Sequence, residues 1–333
     1  MHCSGIYKFL ICFCWILVVL VCFCGKKTTQ PEQSLSLCDS GATTSYTNAQ
    51  RYGGYFGVGD TELISEYKTQ LGSFYTVYHK YPAYVLWFMQ LDNNLPLDFI
   101  SYCSDRSIRV VISLNIKSLS LSSSRNDTLL KEIASGAWDS TLHVLARQAK
   151  QAGQPLYLRF GYEMNGNWFS WGQKKQPFIA AWQHTHALFV RDSAVKVSWV
   201  FAPAALWSGA DAQTDLLAYY PGDSVVDIVG LDGYNYGDIV KSGYQMHWTL
   251  FNGVFKTSLN AVKTLNKPIW VTEVGCPTDS RRSAWLVDMF NFMDDNPCVD
   301  ALLWFNAHKT GEPDFRMESD SASQAALKSW LAQ

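Results

Sequence analysis

Charge is scarce in this sequence. Asp, Glu, Lys and Arg make up 17% of its 333 residues and nearly cancel, to a net −2. No stripe of Lys and Arg gathers anywhere, which argues against binding nucleic acid through its phosphates. No pair of cysteines stands at C-x-x-C spacing outside the first 25 residues, so a thiolate metal site has no framework. No G-x-G-x-x-G follows an early strand, which removes the signature of a dinucleotide fold. No internal repeat is visible. The apolar run Phe9 to Cys24, flanked by Lys8 and Lys26-Lys27, is only sixteen residues. That is short for a membrane span and suits the apolar region of an export signal.

What the chain does have is apolar and aromatic bulk. Hydrophobic residues reach 48% and aromatic residues 14%, with 13 tryptophans. A large core is available and global disorder is excluded. Tryptophan in a chain of low net charge suits flat, neutral, hydroxyl-rich ligands. Five of the nine cysteines (Cys3, Cys12, Cys14, Cys22 and Cys24) lie in the first 25 residues. Cys38, Cys103, Cys276 and Cys298 remain, and four cysteines allow three pairings. A Cys38–Cys298 disulfide is conceivable, and free buried thiols are the alternative.

The expected organisation is an export signal or a membrane or lipid anchor over 1–25, a polar tether over 26–50 and one domain over 51–333. This places the protein outside the cytoplasm, with anchoring through the N-terminus left open. Within the domain, strand-like segments begin near residues 55, 83, 108, 155, 195, 225, 268 and 300. Helix-like segments follow seven of them, and the connection after Phe201 is irregular. Strands apolar on both faces and alternating with helices indicate a parallel sheet covered by helices. Eight such units indicate an α/β fold of the (β/α)₈ barrel type, ahead of an open doubly wound sheet.

Catalytic residues of such barrels stand at the C-terminal strand ends. Reading those ends gives Asp60, Asn115, Glu163, Asp232, Glu273 and Asn306. Strand alternation puts Tyr157, Arg159, Gly161 and Glu163 on one face, and Ile269, Val271 and Glu273 on one face. Glu163 and Glu273 would then face each other across the mouth. Paired carboxylates suit glycosidic bond cleavage, one as proton donor and the other, ionised, as nucleophile. Arg159, two residues below Glu163, would help keep one of them ionised, with a structural ion pair as the plainer role. Asn165 would orient its loop. Trp171 and Trp207 are divided between sugar contact and loop packing. His184 and His186, two apart on a helix, point away from each other and read as surface. Asn126-Asp-Thr128 is a glycosylation sequon, usable where exported proteins are glycosylated.

Five segments in order carry a resemblance: Arg159-Phe-Gly-Tyr-Glu-Met-Asn-Gly-Asn-Trp168, Tyr219-Tyr-Pro-Gly-Asp223, Val229-Gly-Leu-Asp-Gly-Tyr-Asn235, Lys267-Pro-Ile-Trp-Val-Thr-Glu-Val-Gly275 and Trp304-Phe-Asn-x-x-Lys309. The chain resembles glycoside hydrolase family 26 over roughly residues 50 to 330. The resemblance implies a retaining (β/α)₈ enzyme that needs neither metal nor organic cofactor. It implies Glu163 as acid/base and Glu273 as nucleophile. Tyr234 would touch the nucleophile or the adjoining sugar, and Asp232, Trp168 and Trp304 would line sugar subsites. Arg159 and Tyr162 join this substrate-binding set. Many members carry His before the acid/base glutamate, where this chain has Tyr162. The expected function is endo-acting cleavage of a mannan-like or related β-linked polysaccharide by a monomer, with no nucleic-acid partner. A non-catalytic carbohydrate-binding barrel at the cell surface is the alternative.

Overall fold

The computed structural model describes residues 46–58, 62–206, 210–241 and 244–333. The expected signal or anchor, most of the tether, Cys38, Asp60 and Trp207 lie outside the described residues. Those that are described belong to one compact unit, Leu35–Gln333. Among them, no helix is long and apolar enough to cross a membrane.

Eight parallel strands close into a barrel. In chain order they are Tyr52–Tyr55, Tyr84–Gln90, Arg109–Asn115, Leu156–Phe160, Val197–Phe201, Ile228–Tyr234, Ile269–Gly275 and Val299–Phe305. The first pairs with both the second and the eighth, which completes the ring. Long helices follow most strands, among them Ile64–Tyr78, Asp139–Ala152, Lys175–Arg191 and Arg282–Asp295. The connection after Phe201 carries only a short helix, Ala212–Asp215, and two 3₁₀ turns before the next strand. Strands that face the barrel interior on one side and helices on the other have little room for polar side chains, which is why they read as continuous apolar runs.

Local chemistry explains several boundaries. Gly153 ends its helix in the left-handed conformation, φ 66°, where a side chain would be strained. The N-terminal end of the barrel is plugged by Tyr84, Tyr157 and Trp270 from strands two, four and seven, with ring centroids 4.8 to 5.9 Å apart. This plug corrects one expectation. Trp270, not Ile269 or Val271, points inward. The register of strand seven then slips against both neighbours, between Trp270 and Val274. A bulge of this kind re-aims side chains. Here it turns both Thr272 and Glu273 toward the interior.

Cys298 is disulfide-bonded, whereas Cys103 and Cys276 are free and buried. The sequon asparagine is also settled. Asn126 is buried, its Oδ1 accepts from the Ser118 amide at 2.8 Å and its Nδ2 donates to the Ser118 carbonyl at 3.0 Å. Its amide braces the loop from inside and is not free for a glycan.

Candidate active site

Strand four carries Arg159 into the barrel centre, where the guanidinium has no exposed surface. Burying an arginine is costly unless carboxylates meet it, and two do. Nη1 donates to Glu273 Oε1 at 2.7 Å and to Ser113 Oγ at 2.8 Å. Nη2 donates to Asp232 Oδ2. Asp232 is held from its other side by Thr272 Oγ1 at 2.6 Å. Burial works against the Arg159 charge, but Asp232 and then Glu273 more than offset it and raise its pKa. It stays charged at any physiological pH.

Glu273 receives a second donor. Tyr234, two residues beyond Asp232 on strand six, donates to Glu273 Oε2 at 2.5 Å. Burial, followed by the Glu273 charge, holds the Tyr234 pKa well above the usual tyrosine range, so the hydroxyl remains a donor. Both oxygens of Glu273 are thus gripped, one by a cation and one by a phenol.

Glu163 sits differently. Strand four ends at Phe160, and Glu163 lies three residues further on, in a loop and not within the strand as expected. Gly161 and Glu163 both have positive φ, 56° and 50°. For a glutamate this conformation costs about 1–3 kcal/mol and is found where surrounding structure enforces it. Glu163 N donates to the Ala202 carbonyl at 2.7 Å. Asn165, as expected, braces the same loop by a two-way amide exchange with Ala204. The side-chain partner of Glu163 is Trp168, whose indole N–H donates to Oε2 at 2.5 Å. Burial first, and then the Glu273 charge, push the Glu163 carboxyl up to about 8.

One oxygen each from Glu163, Asp232 and Glu273 lie within 4.8 Å of one another. Among the described residues these three are the group that could hold a metal ion. Both oxygens of Asp232 and of Glu273 already accept from Arg159, Thr272 or Tyr234, so the guanidinium supplies the compensating positive charge.

Trp168 is 58% exposed and offers its indole at the mouth. Trp304 is corrected: it is fully buried, donates to the Phe315 carbonyl at 2.8 Å and packs on Trp285. It is core, not a sugar platform. Trp171 is buried too and donates to the Tyr162 carbonyl. Arg159 and Asp232 lie beneath the site and contact carboxylates and hydroxyls, not solvent. Tyr162 is buried, its hydroxyl on Asn115 Oδ1 at 2.8 Å and its ring against the Arg159 guanidinium at 4.7 Å. All three position the site rather than line it. His184 pairs with Asp139, and His186 packs on Trp199.

The sequence reading passed over Ser113, Thr272 and Phe305. Alternation would have found Ser113, two residues before Asn115. It would also have put Phe305, not Trp304, at the mouth, where its ring packs on Tyr55 and Tyr234.

The model of glycosyl hydrolase family 26 matches residues 126–280, which contain both glutamates, and a glycosyl hydrolase catalytic-core model matches 242–330. Over 126–280 the chain is thus similar to glycosyl hydrolase family 26. Endoglucanase H of Acetivibrio thermocellus is 30% identical over 59% of this chain and 22% of its own length. A mannan endo-1,4-β-mannosidase of Bacillus subtilis is 30% identical over 46% of this chain and 37% of its own. A β-1,3-xylanase of Alcaligenes is 24% identical over 50% and 38%. This chain therefore spans well under half the length of these curated relatives. The barrel fold is shared with an endo-β-1,4-mannanase of Cellulomonas fimi, at TM-score 0.63 and 16% identity over 85% of this chain and 70% of that one.

Proposed function

We propose that this chain is a retaining, endo-acting glycoside hydrolase that cleaves a β-linked polysaccharide by double displacement. The observation that carries the reading is a pair of glutamates close together in opposed environments. Oxygens of Glu163 and Glu273 lie within 4.8 Å, near the spacing of about 5–5.5 Å typical of retaining enzymes and short of the 6.5–9.5 Å that leaves room for an attacking water.

In the first step Glu163, protonated at neutral pH, gives its proton to the glycosidic oxygen as Glu273 attacks the anomeric carbon. The bond to the leaving sugar breaks and a glycosyl ester forms on Glu273. Arg159 and Tyr234 hold the carboxylate at a fixed angle before attack and stabilise it as a leaving group afterwards. In the second step Glu163, now ionised, takes a proton from water. The water oxygen attacks the anomeric carbon, the ester bond breaks and Glu273 is free again. Each step inverts the anomeric centre, so the product keeps its configuration. Trp168 stands where an exposed indole can stack on a sugar and donate to Glu163 in its ionised state.

The relatives act, by their names, on mannan, glucan and β-1,3-xylan backbones, so the substrate is set here at β-linked polysaccharide. The apolar N-terminal run supports action outside the cytoplasm, and a single barrel carrying both glutamates supports a monomer. To test the reading, the full chain is incubated with β-mannan, β-glucan and β-1,3-xylan while reducing ends are followed. Release of internal fragments is expected from at least one, and Glu273→Ala abolishes it. Saccharide binding without release would make the barrel a binding module instead.

A further inference from the structure

One cation at the barrel mouth is held in an unusual way. Lys309 lies four residues past the eighth strand and is half-buried. Its ammonium sits over three rings, Tyr55 at 5.0 Å, Phe305 at 5.0 Å and Phe88 at 5.6 Å. These rings come from the ends of strands one, eight and two. Tyr55 and Phe305 are stacked, with centroids 4.8 Å apart and planes 8° from parallel, and Phe88 meets Tyr55 edge-on at 5.3 Å. Phe305 also packs on Tyr234, the residue that donates to Glu273. Phe88 packs on Tyr162. The ammonium and the nucleophile are therefore flanked by the same small set of rings.

Other cations near the mouth are neutralised. Arg159 pairs with Asp232 and Glu273, Lys241 with Glu312, and Arg281 with Asp238 and Asp279. Lys309 makes no hydrogen bond through its ammonium and no ion pair with any described residue. Aromatic faces attract a cation but accept no conventional hydrogen bond from its N–H groups. The three rings thus fix the charge in place and leave its donors for something else. Glu62 is a carboxylate within its field. That side chain spends Oε1 on the Tyr55 hydroxyl at 3.1 Å, and burial, its largest influence, favours its protonated form.

A fixed, half-desolvated and unpaired ammonium recognises negative charge better than it recognises neutral hydroxyls. We propose that Lys309 binds an anionic substituent, a carboxylate or a sulfate ester, on a sugar beside the cleaved bond, so that the preferred substrate is an acidic β-glycan. This rests on Glu163 and Glu273 being a hydrolytic pair. The curated relatives are named for neutral backbones, and the anionic preference is argued from the setting of Lys309 alone.

The test uses the full chain and one β-glucan and one β-mannan backbone, each prepared with hydroxyethyl, carboxymethyl or sulfate groups at equal substitution. The expected result is a kcat/KM at least tenfold higher on one of the anionic forms than on the hydroxyethyl form, and which form leads names the substituent. Lys309→Gln brings the anionic-to-neutral ratio to about one, Lys309→Arg keeps most of it, and added salt reduces it. A wild-type ratio near one, or a ratio that Lys309→Gln leaves intact, overturns the proposal. Binding of the same polymers is measured in parallel by affinity electrophoresis with the Glu273→Gln variant. Should no polymer be hydrolysed, the hydrolytic reading fails. The binding preference and its loss on adding Lys309→Gln still decide the anion site.

Discussion

The ends of strands four and seven present the same side chain in two unlike settings. Glu273 stands within a strand, at its bulge, buried, with a guanidinium on one oxygen and a phenol on the other. Glu163 belongs to a loop with a left-handed backbone and has an exposed indole as its side-chain partner. The first setting stabilises a fixed negative charge. The second raises the pKa to about 8 and leaves room for either protonation state. One carboxylate is fixed at both oxygens by donors and the other is placed to exchange a proton, a difference that environment alone imposes.

The strongest way to break this contrast is to remove each carboxylate in turn. Glu273→Ala should lower kcat by about 10⁴-fold or more, because no covalent intermediate forms without it. Glu163→Gln should cost about 10²–10⁴-fold, the usual worth of a positioned acid/base. The smaller loss should shrink further on aryl glycosides whose leaving group needs no proton. Steady-state rates on one polysaccharide and one activated aryl glycoside check both.

Next comes the anchor beneath Glu273. Arg159→Met leaves Asp232 and Glu273 buried without their cation, at a cost of about 3–5 kcal/mol in stability. For a domain of this size each kcal/mol is worth about 2–4 °C in Tm. Thermal unfolding therefore reads this variant directly, and its activity falls as well.

The two tryptophans separate site from core. Trp304→Ala should destabilise by about 3–5 kcal/mol, as a buried indole does. Trp168→Ala should leave Tm within about 1 °C, since an exposed side chain contributes little to stability. It should instead lower kcat/KM by about 10-fold through lost stacking and the lost donor to Glu163. Equal Tm losses in the two would contradict the assignment.

The smallest expected effect is in pH dependence. The proposed first step needs Glu163 protonated, so turnover should fall as pH rises through about 8. The same shift bears on stability. The folded pKa lies above the ordinary carboxylate value, so the folded state holds a proton that the unfolded state has lost, and stability declines as pH rises from about 4.5 toward 8. Glu163→Gln removes that slope. Melting curves of the variant and the wild type should converge near pH 4 and separate, with the variant higher, at pH 8.

Much of this was legible in the sequence. Eight apolar segments separated by helices gave the barrel, and acidic residues at two of their ends gave the candidate pair. What escaped was geometry that residue types do not encode. The bulge in strand seven breaks the alternation after Thr272, so Glu273 reaches the interior by a route that simple parity does not describe. Gly161 in the left-handed region ends strand four early and hands Glu163 to a loop. Trp304 was misplaced for a different reason. A tryptophan beside a strand end suggests a sugar platform, but strict alternation from Phe305 puts it on the outer face, under the helices.

Trapping the intermediate tests the central claim most directly. A 2-deoxy-2-fluoro glycoside with a good leaving group slows the second step more than the first. With it, intact-protein and peptide mass spectra should show one glycosyl unit added, on the peptide carrying Glu273, and products from the natural polysaccharide should first appear with retained β configuration by NMR. Products that first appear inverted, with no adduct on Glu273, would contradict the account.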